Sequence, residues 1–216
     1  PPHIVSRLPT VDDRRKPFAE RLLEWFAAHR RDLPWRRTSD PYRIWVSEVM
    51  LQQTRAATVV PYYERFTRRF PDLPSLADAD MDDVLKAWEG LGYYRRARHL
   101  KGAAEAVVRD GGRELPTDYD AMLALPGVGR YTAGAVLSLA HGQPRPILDG
   151  NVRRVLSRVW AIGADPRAAA TDRWLWDAAE ALLPADRAGA FNEAMMELGA
   201  TVCTPRKPRC GACPLA

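Results

Sequence analysis

The sequence predicts an all-α protein. Apolar residues recur at the three- and four-residue spacing of amphipathic helices along most of the 216 residues. Alternation of apolar and polar residues over four or more positions, which is typical of strands, is hard to find. The 18 prolines fall mainly at joints between helical segments. These three observations favour about ten short helices.

Capping residues, glycines and prolines delimit the individual helices. An apolar stripe that starts at Phe18 and continues to Leu22, Trp25 and Phe26 predicts a first helix, after a loose N-terminal arm of residues 1–16. Asp40 before Pro41 predicts a capped second helix. In order, the predicted helices begin near Pro17, run from Pro41 to about Thr54, follow Asp80 and Asp83 up to Gly90, follow Thr117 up to about Leu125, and occupy residues 130–141, 150–162, 171–183 and 189–201.

Composition and charge exclude several classes of protein. Hydrophobic residues make up 46% and charged residues 27% of the chain, which is a globular composition and not a disordered one. No apolar run approaches the roughly 18 residues of a membrane span, and the N-terminal residues contain no apolar signal core. The net charge of +5 permits nucleic acid as a partner without demanding it. We expect residues 17–216 to form two helical lobes around a cleft.

A glycine-rich turn is a candidate contact for nucleic acid. The segment LPGVG at residues 125–129 joins two helical patterns, and glycines two positions apart allow a positive φ and a tight turn. Backbone N–H groups at the start of the following helix suit a phosphate, without reading the base. From these residues alone, an ordinary joint between two helices is the alternative interpretation.

Longer motifs indicate a resemblance to a known superfamily. The stretch LPGVGRYTAGAV resembles a helix-hairpin-helix DNA-binding motif, and Asp149 follows 18 residues after Tyr131 in the segment ILDGNV. Together they resemble the endonuclease III superfamily of base excision DNA glycosylases, in which the aspartate at this place is catalytic. Taken alone, Asp149 also fits a plain helix N-cap.

Four further segments resemble the MutY family of adenine DNA glycosylases within that superfamily. They are PWR at 34–36, WVSEVMLQQT at 45–54, WEGLGYY at 88–94 and FNEAMMELGA at 191–200, and the resemblance covers residues 18–214. It implies a two-lobed helix-hairpin-helix DNA glycosylase fold with a C-terminal Cys-rich, iron–sulfur loop. It also implies a monomer in the cytoplasm of a bacterium, at the nucleoid. Its partner would be double-stranded DNA with adenine mispaired with 8-oxoguanine or guanine, and no membrane would be involved.

Two carboxyl groups carry the chemistry that the resemblance implies. Glu48 shares a helix face with Ile44 and Leu51, and an apolar niche favours the protonated form of a carboxyl, so Glu48 is a candidate general acid. A glutamate with a solvated tip at the edge of a buried helix is the alternative. Glu48 would protonate the departing adenine at N7 and handle the water that follows. Ionised Asp149 would stabilise the oxocarbenium-like sugar, and Asn151 would orient this site.

The residue at position 131 decides between two reaction types. In bifunctional endonuclease III enzymes, the resemblance places a lysine here, which forms a Schiff base and drives strand cleavage. This chain has Tyr131, and no lysine lies between Lys101 and Lys207, so the hairpin has no amine nucleophile. We therefore expect a monofunctional glycosylase with negligible lyase activity. The Tyr131 hydroxyl would assist Asp149 beside the sugar, and an aromatic residue that packs on its neighbour is the alternative.

The resemblance also assigns residues that contact DNA. The target adenine has to leave the duplex, and Gln53 and Tyr93 would wedge or fill the gap. Trp35, Arg36 and Glu193 resemble residues of the adenine pocket, although each also passes as a core or surface residue. The predicted DNA contacts are Trp35, Arg36, Leu51 (near the base left behind), Gln53, Tyr93, Leu125, Gly127, Val128, Gly129, Arg130 and Glu193. Phosphate contact and a solvated helix face both suit the basic run Arg95, Arg96, Arg98, His99 and Lys101.

Three cysteines near the end of the sequence predict a metal centre. Cys203, Cys210 and Cys213 form no disulfide framework, and their close spacing suits a metal or an iron–sulfur cluster. In the family, the pattern Cys-x6-Cys-x2-Cys-x5-Cys holds a 4Fe–4S cluster with a structural role. The fourth cysteine is expected at position 219 and the sequence ends at Ala216, so we expect the complete cluster in the intact protein, and an absent or incomplete one here. Zinc is a weaker alternative.

Specificity and function leave further expectations open. The sequence contains no counterpart of the C-terminal domain with which intact members recognise 8-oxoguanine, which predicts weaker discrimination between opposite bases. A thymine-mismatch glycosylase of the same superfamily also carries a tyrosine in the hairpin, but Glu48 within SEVMLQQT argues against it. A non-catalytic helix-hairpin-helix DNA-binding module is the other rival, and the presence of both Glu48 and Asp149 argues against it.

Overall fold

The computed structural model describes residues 15–216, with side chains from residue 17 onward. Within this range the chain folds into eleven α-helices and contains no strand, which confirms the all-α prediction. The predicted loose arm lies outside the described residues, apart from its last two, which belong to the first helix. The helices are α1 (Arg15–His29), α2 (Pro41–Leu51), α3 (Ala56–Arg69), α4 (Leu73–Asp78), α5 (Met81–Trp88), α6 (Arg95–Arg109), α7 (Tyr119–Leu123), α8 (Arg130–His141), α9 (Gly150–Val159), α10 (Ala169–Leu182) and α11 (Ala188–Thr201).

The helices form two compact units. The central unit is Asp32–Gly142, and the terminal unit combines the residues up to Arg31 with Gln143–Ala216. In the central unit, α2 packs against α3 and α8, and α6 packs against α4 and α5. In the terminal unit, α11 packs against α1 and α9, and α10 packs against the same two helices. None of the helices in residues 15–216 has the length and apolar character that a membrane span requires.

Large aromatic side chains build the core of the central unit. Trp45, Phe66 and Trp88 are almost completely buried, and the Phe66 ring meets the Trp88 ring edge-on with 5.8 Å between ring centres. Helix α2 is enclosed on nearly all sides, since all of residues 44–50 are buried. A helix that is covered all round lies in a core. The polar side chains within residues 44–50, Ser47 and Glu48, are therefore held in that core.

The apolar stripe of α1 anchors the core of the terminal unit. Phe18 is buried and packs against Trp160 at 5.5 Å and Phe191 at 6.2 Å between ring centres. Leu22 is fully buried, as the predicted stripe requires. Trp25 departs from the prediction, because its half-exposed ring stacks on an exposed histidine one turn later at 5.5 Å. The stripe therefore covers a narrower face of α1 than its spacing suggests.

Helix α2 starts where the sequence indicates and ends earlier than expected. The Asp40 carboxylate accepts the N–H of Tyr42 at 2.9 Å, which satisfies a backbone donor at the start of the helix. The helix ends at Leu51 instead of continuing to Thr54. Gln53 has a φ of +59°, which no α-helix contains. The reason for this early end lies in a side chain of α6, described below.

Two predicted helix caps are wrong. Asp80 occupies the N-cap position of α5, but its side chain makes no cap hydrogen bond. Asp83 does not complete a capping box, because its carboxylate pairs with Arg69 of α3 at 2.8 Å. Thr117 does not cap α7, since Asp118 fills this position and accepts a backbone N–H of the first turn at 2.9 Å. Asp118 is the cap because aspartate is preferred over threonine at the N-cap position of helices.

Three helices had no predicted boundaries, namely α3, α4 and α6. Helix α3 starts without a side-chain cap and contains Pro61, so its sequence lacks a clear start signal. Helix α4 has only six residues. The boundaries of the last three helices, α9 to α11, lie within three residues of the prediction, and the start of α9 and the end of α11 match it.

The caps of α2 and α5 provide a matched test. Asp40→Ala removes a hydrogen bond to the first turn of α2 and should lower the free energy of unfolding by about 1 kcal/mol. Asp80 occupies the same cap position in α5 but makes no such hydrogen bond. Asp80→Ala should therefore change the free energy of unfolding by less than about 0.5 kcal/mol. Urea unfolding of both variants measures the difference. Equal losses in the two variants would contradict the assigned caps.

Candidate active site

Glu48 lies on α2 in the core of the central unit, with 2% of its surface exposed. Helix α8 packs against α2, and Tyr131, the second residue of α8, donates its hydroxyl hydrogen to Oε2 of Glu48. A buried carboxyl needs a hydrogen-bond partner. A hydroxyl supplies one without adding a positive charge that would hold the carboxyl ionised. The fold thus brings together two predicted catalytic residues that are 83 positions apart.

The turn between α7 and α8 is the predicted hairpin. The Val128 N–H donates to the Leu125 carbonyl at 3.1 Å, and Gly127 has a φ of +73°. A Cβ at Gly127 would also lie 2.5 Å from the Cβ of His99. Gly129 differs, because its backbone is extended with a φ of −108° and it serves as the N-cap of α8. Only Gly127 therefore needs to be glycine for both its backbone and its packing.

Asp149 is the N-cap of α9, as its position alone allows. Its Oδ1 accepts the N–H of Val152 at 2.7 Å, and its Oδ2 accepts an N–H of the Asn151 amide at 2.8 Å. The oxygen of that amide accepts from Arg154 at 2.8 Å. The predicted contact between Asn151 and Asp149 is therefore present. It fixes the orientation of the carboxylate.

Burial raises the pKa of the Asp149 carboxyl, although the hydrogen bonds from Val152 and Asn151 lower it in part. A solvated N-cap aspartate is ordinarily stabilised as the anion. Here the loss of water outweighs the cap and the amide, so the ionised carboxylate is less favourable in the fold than it would be in water. A positive charge that develops beside the carboxylate would relieve this cost. The N-cap is observed, and the catalytic role of Asp149 stays a prediction.

Arg154, which the sequence did not single out, joins Asn151 to the cysteine loop. Its guanidinium donates to the Cys203 carbonyl at 2.7 Å and to the Gly199 carbonyl at 2.8 Å, in addition to the Asn151 amide. A Cβ at Gly199 would lie 2.5 Å from the Cβ of Asn151. Glycine inside a helix is less favourable than alanine by about 1 kcal/mol. Gly199 inside α11 is therefore the one sequence signal for this close packing.

Both predicted wedge residues lie in left-handed backbone. Gln53 has a φ of +59° and Tyr93 a φ of +49°, which are unfavourable for residues other than glycine. The Tyr93 side chain is 58% exposed, and Gln53 is exposed as well. Leu51, at the end of α2, is half-buried. Unfavourable backbone at exposed tips is typical of functional loops, where the surrounding structure enforces it.

The three predicted adenine-pocket residues occupy different surroundings. Trp35 is buried in the core of the central unit, edge-on against Tyr63 with 5.5 Å between ring centres. Arg36 follows it in a 3-10 turn and is half-buried. Glu193 is half-buried on α11 of the terminal unit. Their assignment to an adenine pocket stays a prediction.

Two members of the basic run are buried. Arg96 is 9% and Lys101 is 5% exposed, and the Lys101 ammonium donates to a carbonyl of α4 at 2.9 Å. Phosphate contact is therefore wrong for these two residues, because their charges are satisfied inside the central unit. Arg95 and Arg98 are exposed. His99 lies under the hairpin glycine.

Cys203, Cys210 and Cys213 lie in one loop at the end of the chain. Burial raises the pKa of the Cys213 thiol, the N–H of Leu215 lowers it, and the charges of Cys203 and Cys210 raise it again. Within the described residues, no three His, Cys, Asp or Glu side chains converge in the geometry of a metal site. The donor set still fits an iron–sulfur cluster, because such clusters use cysteine thiolates with hydrogen bonds to the sulfur atoms. The ligand assignment stays a prediction.

Comparisons with known proteins agree with this arrangement. Residues 46–181 match the family model of HhH-GPD superfamily base excision DNA repair proteins, and residues 203–216 match the iron-sulfur binding domain of endonuclease III. The chain is 48% identical over 207 residues to the adenine DNA glycosylase of Homo sapiens, which covers 92% of this chain and 38% of that protein. It is 45% identical over 215 residues to the adenine DNA glycosylase of Mycobacterium tuberculosis (strain CDC 1551 / Oshkosh), which covers 99% of this chain and 70% of that protein.

A solved structure extends the agreement to the fold. A thermostable thymine-DNA glycosylase superposes with a TM-score of 0.85 at 34% sequence identity, over 94% of both chains. The chain therefore belongs to the HhH-GPD superfamily of base excision DNA repair proteins. Its relatives at 45% and 48% identity are adenine DNA glycosylases, which confirms the resemblance to the MutY family. The chain spans 38% of the length of its human relative.

The raised pKa of Asp149 leads to a prediction for stability against pH. Below about pH 3, well under the ordinary aspartate pKa, the carboxyl is protonated in the folded and unfolded states alike. As pH rises, the unfolded chain ionises first, so the wild type loses stability until the folded state has ionised too. Asp149→Asn keeps an N-cap and has no charge, so thermal unfolding should show it gaining stability relative to the wild type as pH rises from about 4 to 8.

The asparagine variant also loses a favourable hydrogen bond to Asn151, but this loss does not depend on pH. The loss therefore shifts the difference in Tm between variant and wild type by the same amount at every pH, and the slope of that difference against pH is unchanged. A difference in Tm that stays flat across the same pH range would show that the Asp149 carboxyl is not desolvated in the fold.

The hairpin glycine gives a second test at this site. Gly127→Ala places a side chain in left-handed backbone and against His99, so it should lower the free energy of unfolding by about 1–3 kcal/mol. Gly163→Ala is the matched control, because a Cβ there meets open space, and it should change stability by less than about 0.5 kcal/mol. Urea unfolding compares them. Equal stability of the two variants would contradict the tight hairpin.

Proposed function

We propose that this chain is a monofunctional DNA glycosylase of base excision repair, which hydrolyses the N-glycosidic bond of adenine mispaired with 8-oxoguanine or guanine. The observation that carries the proposal is the buried Glu48 carboxyl and its hydrogen bond from Tyr131. Burying a carboxyl is unfavourable, and replacing it with an apolar residue would suit a core helix better. The carboxyl is therefore explained by chemistry rather than by packing.

The first step is proton transfer to the base. An anionic purine is a poor leaving group, so adenine has to be protonated, here at N7 by Glu48. The Tyr131 hydroxyl donates to Oε2, which leaves the other oxygen of Glu48 to carry the acid proton. That proton passes to N7, the N-glycosidic bond breaks, and its electron pair leaves with the adenine.

The second step is stabilisation of the sugar. Bond cleavage leaves an oxocarbenium-like deoxyribose, whose positive charge suits an ionised carboxylate, as in glycoside hydrolysis. Asp149 supplies it, and the Asn151 amide and the Val152 N–H hold both carboxylate oxygens. Water then adds to the sugar and gives its proton to Glu48, which restores the acid. The products are free adenine and an abasic site.

The chain lacks the nucleophile for a second reaction. Strand cleavage through a Schiff base requires an amine beside the sugar. Tyr131 holds the hairpin position, and no lysine occurs between Lys101 and Lys207. We therefore infer that the abasic site leaves the enzyme with its strand intact.

Recognition of DNA relies on the hairpin and on the wedge residues. The Gly127 turn opens the backbone N–H groups of the first turn of α8 to a phosphate of the damaged strand. Tyr93 and Gln53, on exposed tips, enter the duplex where the adenine leaves it. The exposed Arg95 and Arg98 add phosphate contacts beside Tyr93.

A 4Fe–4S cluster would be held by Cys203, Cys210 and Cys213 with a further ligand, and it would supply structural support to the loop. The protein's own residues already anchor this loop to α9. Arg158 donates to the carbonyls of Thr204 at 2.8 Å and Pro205 at 3.1 Å. The exposed basic residues of the loop are Arg206, Lys207 and Arg209. We place them at DNA phosphates.

Thymine is the second candidate base. The superposed thymine-DNA glycosylase is 34% identical to this chain, which is less than the 45% and 48% identity of the adenine glycosylases. The segment around Glu48 resembles the latter family. Adenine is therefore the preferred substrate, and a T·G duplex belongs in the test.

Single-turnover excision tests the proposal. The chain is incubated with a duplex that carries adenine opposite 8-oxoguanine, and strand breaks are compared with and without alkali. We expect breaks in the adenine strand only after alkali, and no release from a T·G duplex. Glu48→Gln should slow release by about 10²–10⁴-fold, because the general acid is lost, while the affinity for the duplex stays unchanged.

Each other outcome identifies a particular error. Breaks without alkali would reveal a lyase nucleophile. Release of thymine and not of adenine would show that the substrate is thymine mispaired with guanine. Normal excision by the Glu48→Gln variant would remove Glu48 from the mechanism, and DNA binding without release from any duplex would favour a binding module.

A further inference from the structure

A single buried guanidinium joins the two wedge-bearing loops of the central unit. Arg96 lies in the first turn of α6, and nearly all of its surface is buried. Its two terminal nitrogens donate to groups at the end of α2 and in the turn before α6. The acceptors are the carbonyls of Val49 (3.1 Å), Met50 (2.7 Å), Gln52 (2.5 Å), Leu91 (3.3 Å) and Gly92 (3.2 Å), and the hydroxyl of Thr54 (3.3 Å).

The contacts on α2 explain why that helix stops. The last carbonyls of a helix have no partner within it, and a basic side chain at the C-terminus can satisfy them. Arg96 Nη1 does so for Val49 and Met50, and it also takes the carbonyl of Gln52, which lies beyond the helix. The chain then reverses through Gln53 in left-handed backbone.

The contacts on the other loop fix the tyrosine. Arg96 Nη2 holds the Leu91 and Gly92 carbonyls, and the guanidinium lies 5.3 Å from the centre of the Tyr93 ring. The same guanidinium lies 5.4 Å from the centre of the Trp88 ring. The indole N–H of Trp88 also donates to the Gly92 carbonyl at 3.1 Å. Arg96 thus contacts both the ring of Tyr93 and the backbone just before it, although Tyr93 is 58% exposed and in left-handed backbone.

We propose that Arg96 is a positioning residue for base extrusion, which holds Gln53 and Tyr93 in their DNA-inserting conformation before DNA binds. This inference rests on the proposed glycosylase function. The physical basis is preorganisation, because left-handed backbone at two non-glycine tips would relax if the shared guanidinium were removed. Among the residues that the structure describes, no carboxylate forms an ion pair with Arg96, and burial lowers the pKa of its guanidinium. Its hydrogen bonds run to six neutral acceptors, which only the planar fork of arginine reaches together.

Arg96→Lys tests the proposal, since it keeps the charge and loses the fork. Single-turnover release is measured for adenine opposite 8-oxoguanine and for adenine opposite an abasic analogue, where extrusion is easier. With the paired adenine, we expect the rate of release to fall about 10²-fold, because displaced wedge side chains no longer help the adenine to leave the duplex. With the abasic analogue we expect a loss of less than about threefold, since the catalytic groups are untouched.

Two variants of the same helix serve as controls. Arg109→Lys changes an exposed arginine at the far end of α6 and should leave both rates unchanged. Lys101→Met removes another buried cation of α6, which donates to a carbonyl of α4 and pairs with Glu105 at 2.6 Å. It should lower the Tm and leave the ratio of the two rates unchanged. Equal losses on both substrates in Arg96→Lys, as from general destabilisation, would overturn the proposal.

A cycle and a spectroscopic measurement complete the design. In a background of Gln53→Ala with Tyr93→Ala, the Arg96→Lys change should have no further effect on release, and an additive loss would contradict the assigned route. Fluorescence of 2-aminopurine beside the target adenine, measured in Glu48→Gln protein, reports unstacking without excision. If the wild type releases no base, the proposed function has failed. In that case the 2-aminopurine fluorescence alone tests the role of Arg96. The increase that reports unstacking should be lost in Arg96→Lys and retained in Arg109→Lys.

Discussion

The enclosure of α2 is the constraint on which the chemistry and the DNA-facing loops of the central unit depend. Because residues 44–50 are all buried, Glu48 is held in a core, with the Tyr131 hydroxyl as a neutral partner. Because the end of the same helix is also buried, its free carbonyls need a donor, and Arg96 is that donor. One packed helix thus carries a buried carboxyl in its middle and an ordered reversal of the chain at its end.

Both carboxyl groups are removed from water, but their hydrogen-bond partners differ. Glu48 meets a neutral hydroxyl donor in an aromatic-rich core. Asp149 is oriented at both oxygens by N–H donors at the start of α9, and these donors partly offset the loss of water around the ionised form. Chemistry with an acid and an anionic stabiliser needs such a pair of environments.

Sequence reasoning reached the site mainly where the relevant residues stand within one short motif. The bond between Asp149 and Asn151 was expected, because two positions at a helix start share a local geometry. The bond between Tyr131 and Glu48 was not, because the tyrosine was assigned to Asp149 alone. Arg96 and Lys101 were grouped with solvated or phosphate-binding residues, since a run of basic letters does not show which members a helix buries. Arg154 left no signal of its own apart from the glycine that makes room beside it.

The sequence by itself determined the helical class, most of the helix starts and the family, since apolar spacing, capping residues and long motifs are local properties of the chain. Local signals were misleading at Thr117, where the adjacent Asp118 is the cap, and at Asp80 and Asp83, which make no cap hydrogen bond. Tertiary structure decided what each polar side chain does, because burial and hydrogen bonding depend on segments that are distant in sequence. The 2% exposure of Glu48, the raised pKa of Asp149 and the six acceptors around Arg96 arise only when helices pack, since desolvation is a property of the assembled core.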